Sequence, residues 1–347
     1  MNDSRLSVHI VTWNALTYLP AFFASLDEQA VPFRVVAVDN ASTDGAAAWM
    51  TAERPLTTVL RNMRNMGFAR GNNQAIQLAL AGHEQDDLAN RYVMLTNTDI
   101  EMHPACLERL VAFLDEHPEV DAAQPKLLCA RRKPGYSDYP ETERTDVIDS
   151  LGIAMTRARR GYNLGAHEKD AGQYDAQCDV FGPDGACAMF RLSSVLRVNA
   201  EGKLFDENFL AYKEDADLAW RMRRLGMRTV LIPQALAWHH RAAPSAQGRG
   251  WWGAWLARWR KPDYINYLST RNHAWMLVKN LAWSDLLVHG FWIAPYEVAK
   301  MAVSLTSWSA LRGYGAAVKG LPNALRERQK LNAMSKVQPK EVRRWFV

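Results

Sequence analysis

Asn97 and Asp99 close an apolar run, Tyr92-Val93-Met94-Leu95-Thr96. A hard carboxylate in that place is a candidate ligand for Mg²⁺ or Mn²⁺. A buried strand built from the run delivers both side chains to its carboxyl end, where open α/β sheets bind ligands. Three more polar clusters follow apolar runs: Thr12-Trp13-Asn14, the stretch from Asp39 to Gly45 that includes Asp44, and the stretch from Arg61 to Asn73. The last holds Arg61, Arg64 and Arg70 with Asn62, Asn65, Asn72, Asn73, Gly67 and Gly71. Planar donors and close backbone approach suit a diphosphate or a heterocyclic base. It is neither a dinucleotide fingerprint nor a phosphate loop, which argues against a dehydrogenase or a P-loop ATPase. Turn chemistry explains any one cluster alone. Four in register after apolar strands suit one ligand site.

A fifth cluster packs Glu214, Asp215 and Asp217 at the start of an apolar-periodic helix. The helix dipole accounts for one or two acids there. Three crowded acids raise one another's pKa towards what a general base needs. A sixth, His239-His240, directly follows a short apolar run, and one of the pair is a candidate further ligand for a metal held by Asp99.

The elements that must position these groups read as alternating strands and helices. Strands are expected over Leu6 to Thr12, Arg34 to Asp39, Thr57 to Arg61 and Arg91 to Thr96. Helices are expected over Tyr18 to Glu28, after Gly45, over Gly71 to Ala81 and over Pro104 to His117. The alternation implies an α/β fold with a mainly parallel, right-handed sheet flanked by helices. Lys126 to Ala176 has weak periodicity and reads as long loops with two short strands. Gly185 to Arg191 resumes an apolar pattern, Glu214 to Leu225 reads as a helix closed by Gly226, and Thr229 to Ile232 and Ala235 to Trp238 read as two short strands.

The 347 residues suffice for one large domain and an appendage. Four scattered cysteines make no C-x-x-C pair, and the start of the chain carries no signal-peptide pattern, so a cytoplasmic setting is expected. No run of about 18 uncharged apolar residues occurs. The net charge of +5 conceals an asymmetry. Residues 249–347 hold 16 Lys+Arg against 5 Asp+Glu, and residues 1–248 hold 26 against 32. The tail also holds 9 of the 13 tryptophans. We therefore expect a catalytic domain over 1–248 and a basic, Trp-rich helical region over 249–347. Trp252, Trp255, Trp259 and Leu256 fall at helical spacing, and Leu281 to Leu311 is apolar but broken by charges. Helices lying in an anionic membrane interface are the first reading; packing on the sheet or forming a homodimer is the other. The acidic first part argues against nucleic acid as a partner.

In order along the chain, Val8 to Asn14, Val38 to Gly45, Asn65 to Asn73, Leu95 to Asp99, Gly185 to Arg191, Phe205 to Phe209, Glu214 to Arg221, Trp238 to His240 and Ser269 to His273 resemble the inverting nucleotide-sugar glycosyltransferases of family 2, which have the GT-A fold. Within that family the likeness is to bacterial rhamnosyltransferases that build cell-surface polysaccharides such as O-antigen. The resemblance implies a nucleotide site around Thr12, Asn14, Asp39 and Asp44, with Asp39 on the pyrimidine base. It places Arg64, Asn65, Gly67 and Asn72 near base, ribose or diphosphate. It makes Asp99 the last acid of a D-x-D motif, with His239 completing the metal site and Asn97 where many relatives have Asp. It makes Asp215 the general base and lines the donor sugar and acceptor with Gly185 and Ala186. It also implies a dTDP- or UDP-sugar donor, Mg²⁺ or Mn²⁺, a polyprenyl-diphosphate-linked saccharide acceptor, and a peripheral place on the inner face of the bacterial cytoplasmic membrane. A nucleotidyltransferase, or a non-catalytic membrane-binding module, is the reading from another class.

Overall fold

The computed structural model describes residues 4–132, 142–241 and 262–347. Four parallel strands, β1 (Leu6–Thr12), β2 (Phe33–Asp39), β3 (Thr58–Arg61) and β4 (Tyr92–Thr96), lie in the order β3-β2-β1-β4. Their register sets Thr12 opposite Asp39, and Asp39 opposite Arg61. Three expected strand-end residues thus share one row. β5 (Ile100–Met102) follows β4, while β6 (Ala122–Arg132), β7 (Thr142–Ser150) and the hairpin of β8 (Ile153–Met155) and β9 (Gly161–Asn163) come from the middle of the chain. β10 (Cys178–Asp179), β11 (Cys187–Arg191) and β12 (Thr229–His239) complete the set. β11 runs antiparallel between β4 and β6, and β12 lies parallel to β6 beyond it. The sheet is therefore mixed but mainly parallel on its first half.

α1 (Leu19–Asp27) and α4 (Cys106–Glu116) bury their apolar stripes on one face, around Phe22, Leu110 and Leu114. α2 (Ala46–Glu53) follows β2. α3 (Phe68–Leu80), α5 (Leu192–Val198) and α6 (Glu214–Arg224) cover the other face around Ile76, Val195 and Leu218. This is the layered burial that a parallel sheet requires.

The middle departs from the loop reading. Ala122 to Arg132 is an inner strand, paired with β11, β12 and β7. Pro125 interrupts its pattern, and Lys126 is buried against Asp170 and Asp175 at 2.8 and 2.7 Å, so a charged residue sits where periodicity demands an apolar one. The two short strands expected over 229–238 are one strand with a register shift between Ile232 and Leu236. α3 begins three residues before the expected Gly71, because Gly67 at φ +83° turns the chain into it.

The tail is helical: α7 (Asp263–Asn280), α8 (Trp283–Ser304), α9 (Trp308–Lys319), α10 (Leu321–Met334) and the short α11 (Pro339–Val342). α7 packs on α6, and the last residues return to the hairpin, Val347 N–H donating to Met155 O at 3.1 Å. The expected boundary at 248/249, and the segment with Trp252, Trp255, Trp259 and Leu256, lie outside the described residues. No helix of the described residues is long and apolar enough to cross a membrane.

Candidate active site

The carboxyl ends of β1 and β2 and the α3 N-terminus form the first corner. Asp39 is fully buried; its carboxylate accepts from Ser42 N–H and faces Arg61 Nε at 3.5 Å. Thr12 Oγ1 is buried beside it without a protein partner. Asn14, in the left-handed region at φ +53°, accepts from Thr43 N–H at 2.8 Å and so joins the first two strand-end loops. Asp44 accepts from Leu16 N–H and Ala46 N–H at 2.8 and 3.0 Å. Both its oxygens therefore hold loops together. Asn40, which the sequence reading did not single out, donates to Gly67 O and accepts from Asn62 and Met66 N–H. Asn65 accepts from Gly67 N–H at 2.8 Å.

A cavity of about 310 Å³ opens here, lined by Arg64, Asn65, Met66, Arg70, Glu207 and Leu210. Arg64 is exposed at its rim. Asn72 is buried and donates to Phe68 O within its own helix. Its neighbour Asn73 bridges instead to the Phe205 backbone through two hydrogen bonds of 2.9 and 3.0 Å.

The second corner lies between β4 and β12. Asp99 Oδ1 and His239 Nε2 are 3.4 Å apart, and His239 Nδ1 bonds Asp149 Oδ2 at 2.8 Å. Burial alone would drive the imidazole towards neutrality, but hydrogen bonds to Asp149 and Asp99 outweigh it and hold its pKa up at about 10. Burial likewise opposes ionisation of Asp99, and His239 more than compensates, so that carboxyl stays below its ordinary range. Asp149 was hidden in the weakly periodic stretch. With its pKa held up in this way, His239 is an imidazolium between two carboxylates. Its Nε2 must give up a proton before it can ligate a metal, while Asp149 keeps the other ring nitrogen oriented. Asp99 and His239 offer one hard oxygen and one imidazole, and among the described residues no group of three or more His, Cys, Asp or Glu side chains could hold an ion. Mg²⁺ or Mn²⁺ here would therefore need its remaining ligands from diphosphate oxygens and water. Asn97 donates its N–H to Ala186 O at 2.8 Å, so the second corner touches the third. A further pair, Glu101 and His240 at 2.7 Å, lies beside this corner.

The third corner is the head of α6. A Cβ on Gly185 would lie 3.3 Å from Asp215 Cβ and 3.7 Å from the Phe68 ring, so the bare glycine lets the loop before β11 approach Asp215. Asp215 Oδ1 accepts from Ala216 N–H at 2.6 Å. Burial, then the charge of Asp184, raises the Asp215 pKa above the ordinary value. Asp184 is itself fixed by Ala186 N–H and by Asn163, both at 2.8 Å. It sits in a Pro-Asp-Gly turn, which reads from sequence only as a turn. Glu214 is buried with Oε2 lacking a hydrogen-bond partner, and burial followed by Asp215 pushes its pKa up to about 8. Asp217 is fully buried and bonded by Arg221, Lys279 and Asn280. Of the three crowded acids, Asp215 is the one that lies against Gly185.

The family profile "Glycosyl transferase family 2" matches residues 7–195, more than half of the chain. The chain belongs to glycosyl transferase family 2. Its mixed, mainly parallel sheet with flanking helices is the GT-A fold, and it is a glycosyltransferase. Among curated proteins it is similar to N-acetylglucosaminyl-diphospho-decaprenol L-rhamnosyltransferase of Mycobacterium tuberculosis, 27% identical over 284 residues, covering 78% of this chain and 86% of that one. Among solved structures it is similar in fold to GalNAc-T7, crystallised with UDP, GalNAc and Mn²⁺, at a TM-score of 0.56 and 13% identity over 80% of this chain. The match spans 48%, about half, of the GalNAc-T7 chain. Residues 1–349 of Staphylococcus aureus TarS match at a TM-score of 0.50 and 16% identity, covering 95% of this chain and 83% of that one.

Proposed function

We propose that this family 2 member transfers L-rhamnose from dTDP-rhamnose, with inversion, to a polyprenyl-diphosphate-linked saccharide in cell-surface polysaccharide synthesis. The observation that carries the reading is Asp215. It is a half-buried carboxylate with a raised pKa at a helix N-terminus, pressed against Gly185 and one loop away from the Asp99–His239 pair. The rhamnosyl donor and lipid-linked acceptor are supported by the mycobacterial relative, whose name gives both a rhamnosyl group and a decaprenol-linked acceptor. A UDP-hexose donor is the alternative within the same mechanism.

In this reading Asp39, Thr12 and Asn14 seat the nucleotide, while Arg64, Asn65 and Gly67 line its ribose and diphosphate. Asp99 and His239 would hold Mg²⁺ or Mn²⁺. That ion, when bound, neutralises the charge that develops on the leaving diphosphate. Asp215 accepts the acceptor hydroxyl's proton as its oxygen bonds to the anomeric carbon. The bond from that carbon to the diphosphate oxygen breaks on the opposite face, and the diphosphate leaves with the electron pair. Attack from the rear inverts the centre. A base with a raised pKa is the stronger proton acceptor, which is what an unactivated hydroxyl needs.

The test is Asp215→Asn. Turnover should fall by about 10²–10⁴-fold, with donor binding unchanged by calorimetry. Near-normal turnover would remove Asp215 as base and turn attention to Glu214. A thermal-shift panel of dTDP-rhamnose, UDP-galactose, UDP-glucose and UDP-N-acetylglucosamine, each with and without Mn²⁺ or Mg²⁺, identifies the donor by mass action. The largest shift is expected from dTDP-rhamnose with a divalent ion, and a larger shift from a UDP-sugar selects the alternative.

A further inference from the structure

α8 has its polarity reversed. A surface helix ordinarily turns charges to water and apolar residues to the core. The charged residues of α8 are Asp285, Glu297 and Lys300, and none is exposed. Asp285 is buried between Arg159 and Arg343, at 3.3 and 3.0 Å, and Glu297 bonds His273 at 2.6 Å. Every exposed position of the helix is apolar. Trp283, Leu287, Phe291, Val298 and Met301 are 79, 89, 82, 68 and 55% exposed, and their spacing sets them on one face. Leu305 and Trp308, at 67 and 75%, continue the stripe beyond its end. At about 1.5 Å per residue the helix is roughly 33 Å long.

We infer that this face lies in the headgroup–acyl boundary of an anionic bilayer. Charge selects the occupant. Arg312 and Lys319 are exposed on α9, the helix that begins at Trp308 where the stripe ends, and Arg157 sits over the Trp292 ring at 5.2 Å. Residues 249–347 carry 16 Lys+Arg against 5 Asp+Glu. A second copy on this face would oppose two such basic tails, whereas anionic headgroups complement them. Tryptophan at both ends of the stripe is the residue that favours headgroup depth. The inference deepens the lipid-linked acceptor reading, on which its biological purpose rests, by placing the bilayer that acceptor occupies.

The test uses the full chain, with neither donor nor acceptor, and vesicles of phosphatidylglycerol and phosphatidylethanolamine. Wild type should co-sediment with them. The double variant Leu287→Glu, Phe291→Glu should lose vesicle partitioning by about tenfold or more, with its melting temperature and nucleotide-sugar thermal shift unchanged. Equal sedimentation of both forms, or wild type left in the supernatant, overturns the inference. So does a wild-type dimer in sedimentation equilibrium that the double variant dissolves. Turnover is not read, so failure here is distinct from failure of the glycosyl-transfer reading.

A second inference rests on the loop before α6. Leu210, Tyr212 and Lys213 adopt φ of +64, +69 and +74°, a region side-chain-bearing residues rarely occupy. α7 holds that loop. Asn272 Nδ2 lies 2.8 Å from the carbonyl oxygens of Phe209, Ala211 and Tyr212. Arg271 Nη2 donates to Asn208 O and Phe209 O, and its Nε donates to Asn272 Oδ1 at 2.9 Å. The geometry points to Asn272 as a positioning residue that aims the head of α6, and with it Asp215. Asn272→Ala and Asn272→Asp both remove the amide donor, and Asp keeps the shape. Both should lower kcat by about 10-fold or more while donor KM and donor affinity stay unchanged, because misplacement by an ångström is felt in the chemical step. The acid limb of the pH–rate profile should also move. Unchanged kcat in the Asp variant overturns the assignment, as does a parallel fall of kcat, donor affinity and melting temperature.

Discussion

Glu214 and Asp215 are adjacent on α6, yet their surroundings give them different roles. Asp215 keeps a hydrogen bond from Ala216 N–H and lies beside Gly185, while Glu214 turns into the protein with Oε2 unpartnered. Burial, then the neighbouring Asp215 charge, pushes the Glu214 pKa up to about 8, against 4.5 for the free side chain. Because the folded value is raised, the stability this carboxyl contributes is complete below pH 4.5 and lost as pH rises through about 8. Glu214→Gln removes that dependence. Its melting curve should coincide with wild type near pH 4 and lie above it near pH 8, the gap growing by roughly 1.4 kcal/mol per pH unit between the two values. Parallel curves across the range would mean that Glu214 is ionised in the folded chain. At this scale the sequence marks acids that end apolar runs or crowd together, such as Asp39, Asp99 and Asp215. Asp149 and Asp184 escape it because their meaning comes from the partners they meet, His239 and Asp215, and those are distant in sequence.

Most strands and helices of the first 120 residues are legible. β1 to β4 are short β-branched or apolar runs, α1, α3 and α4 carry an apolar stripe, and the turn to Gly45 marks the start of α2, whereas the three-residue β5 falls outside the expected elements. β1 and β4 fall within one residue of their expected bounds. β6 was illegible for a physical reason: Lys126 is an inner-strand residue whose charge is met by Asp170 and Asp175 from a later loop, so its burial depends on tertiary context. The turn into α3 helps to shape the first corner, where we propose that the nucleotide sits. Gly67 has φ +83°, and a Cβ there would meet Leu210 Cδ1 and Leu210 O at 2.5 Å. With ψ at 169° this extended positive-φ conformation is essentially glycine-only, and Ala there costs about 1–3 kcal/mol before any clash. Here the clash also pushes apart α3 and the loop that leads to Asp215. Gly67→Ala should therefore lower both the melting temperature and the affinity for the nucleoside diphosphate. Calorimetry that shows undiminished affinity would mean that this contact does not shape the site.

Across the whole molecule the charge asymmetry suggests two separable parts, an acidic 1–248 and a basic 249–347. The contacts between them argue against independence. Lys279 on α7 bonds Asp217 at 2.8 Å and Asp206 at 2.6 Å, and Asn280 bonds the other oxygen of Asp217 at 2.9 Å. Asp217 is fully buried, so a chain ending at residue 248 would leave it with Arg221 alone. The cut would also expose the Phe209, Trp220 and Phe181 surface that Met276 and Phe346 cover, and remove every donor α7 supplies to the loop before α6. Breaking a buried pair by removing one partner costs about 3–5 kcal/mol, a large share of a domain's net stability. The truncated chain should thus fail to give a cooperative melt or should aggregate. Lys279→Ala in the full chain should lose several kcal/mol in denaturant unfolding. Lys279→Arg keeps the charge and should recover part of the loss. A soluble 1–248 fragment with wild-type melting behaviour would establish the tail as an appendage. Failure to melt cooperatively, together with a destabilised Lys279→Ala, would make the tail helices part of the fold that holds Asp215 in place.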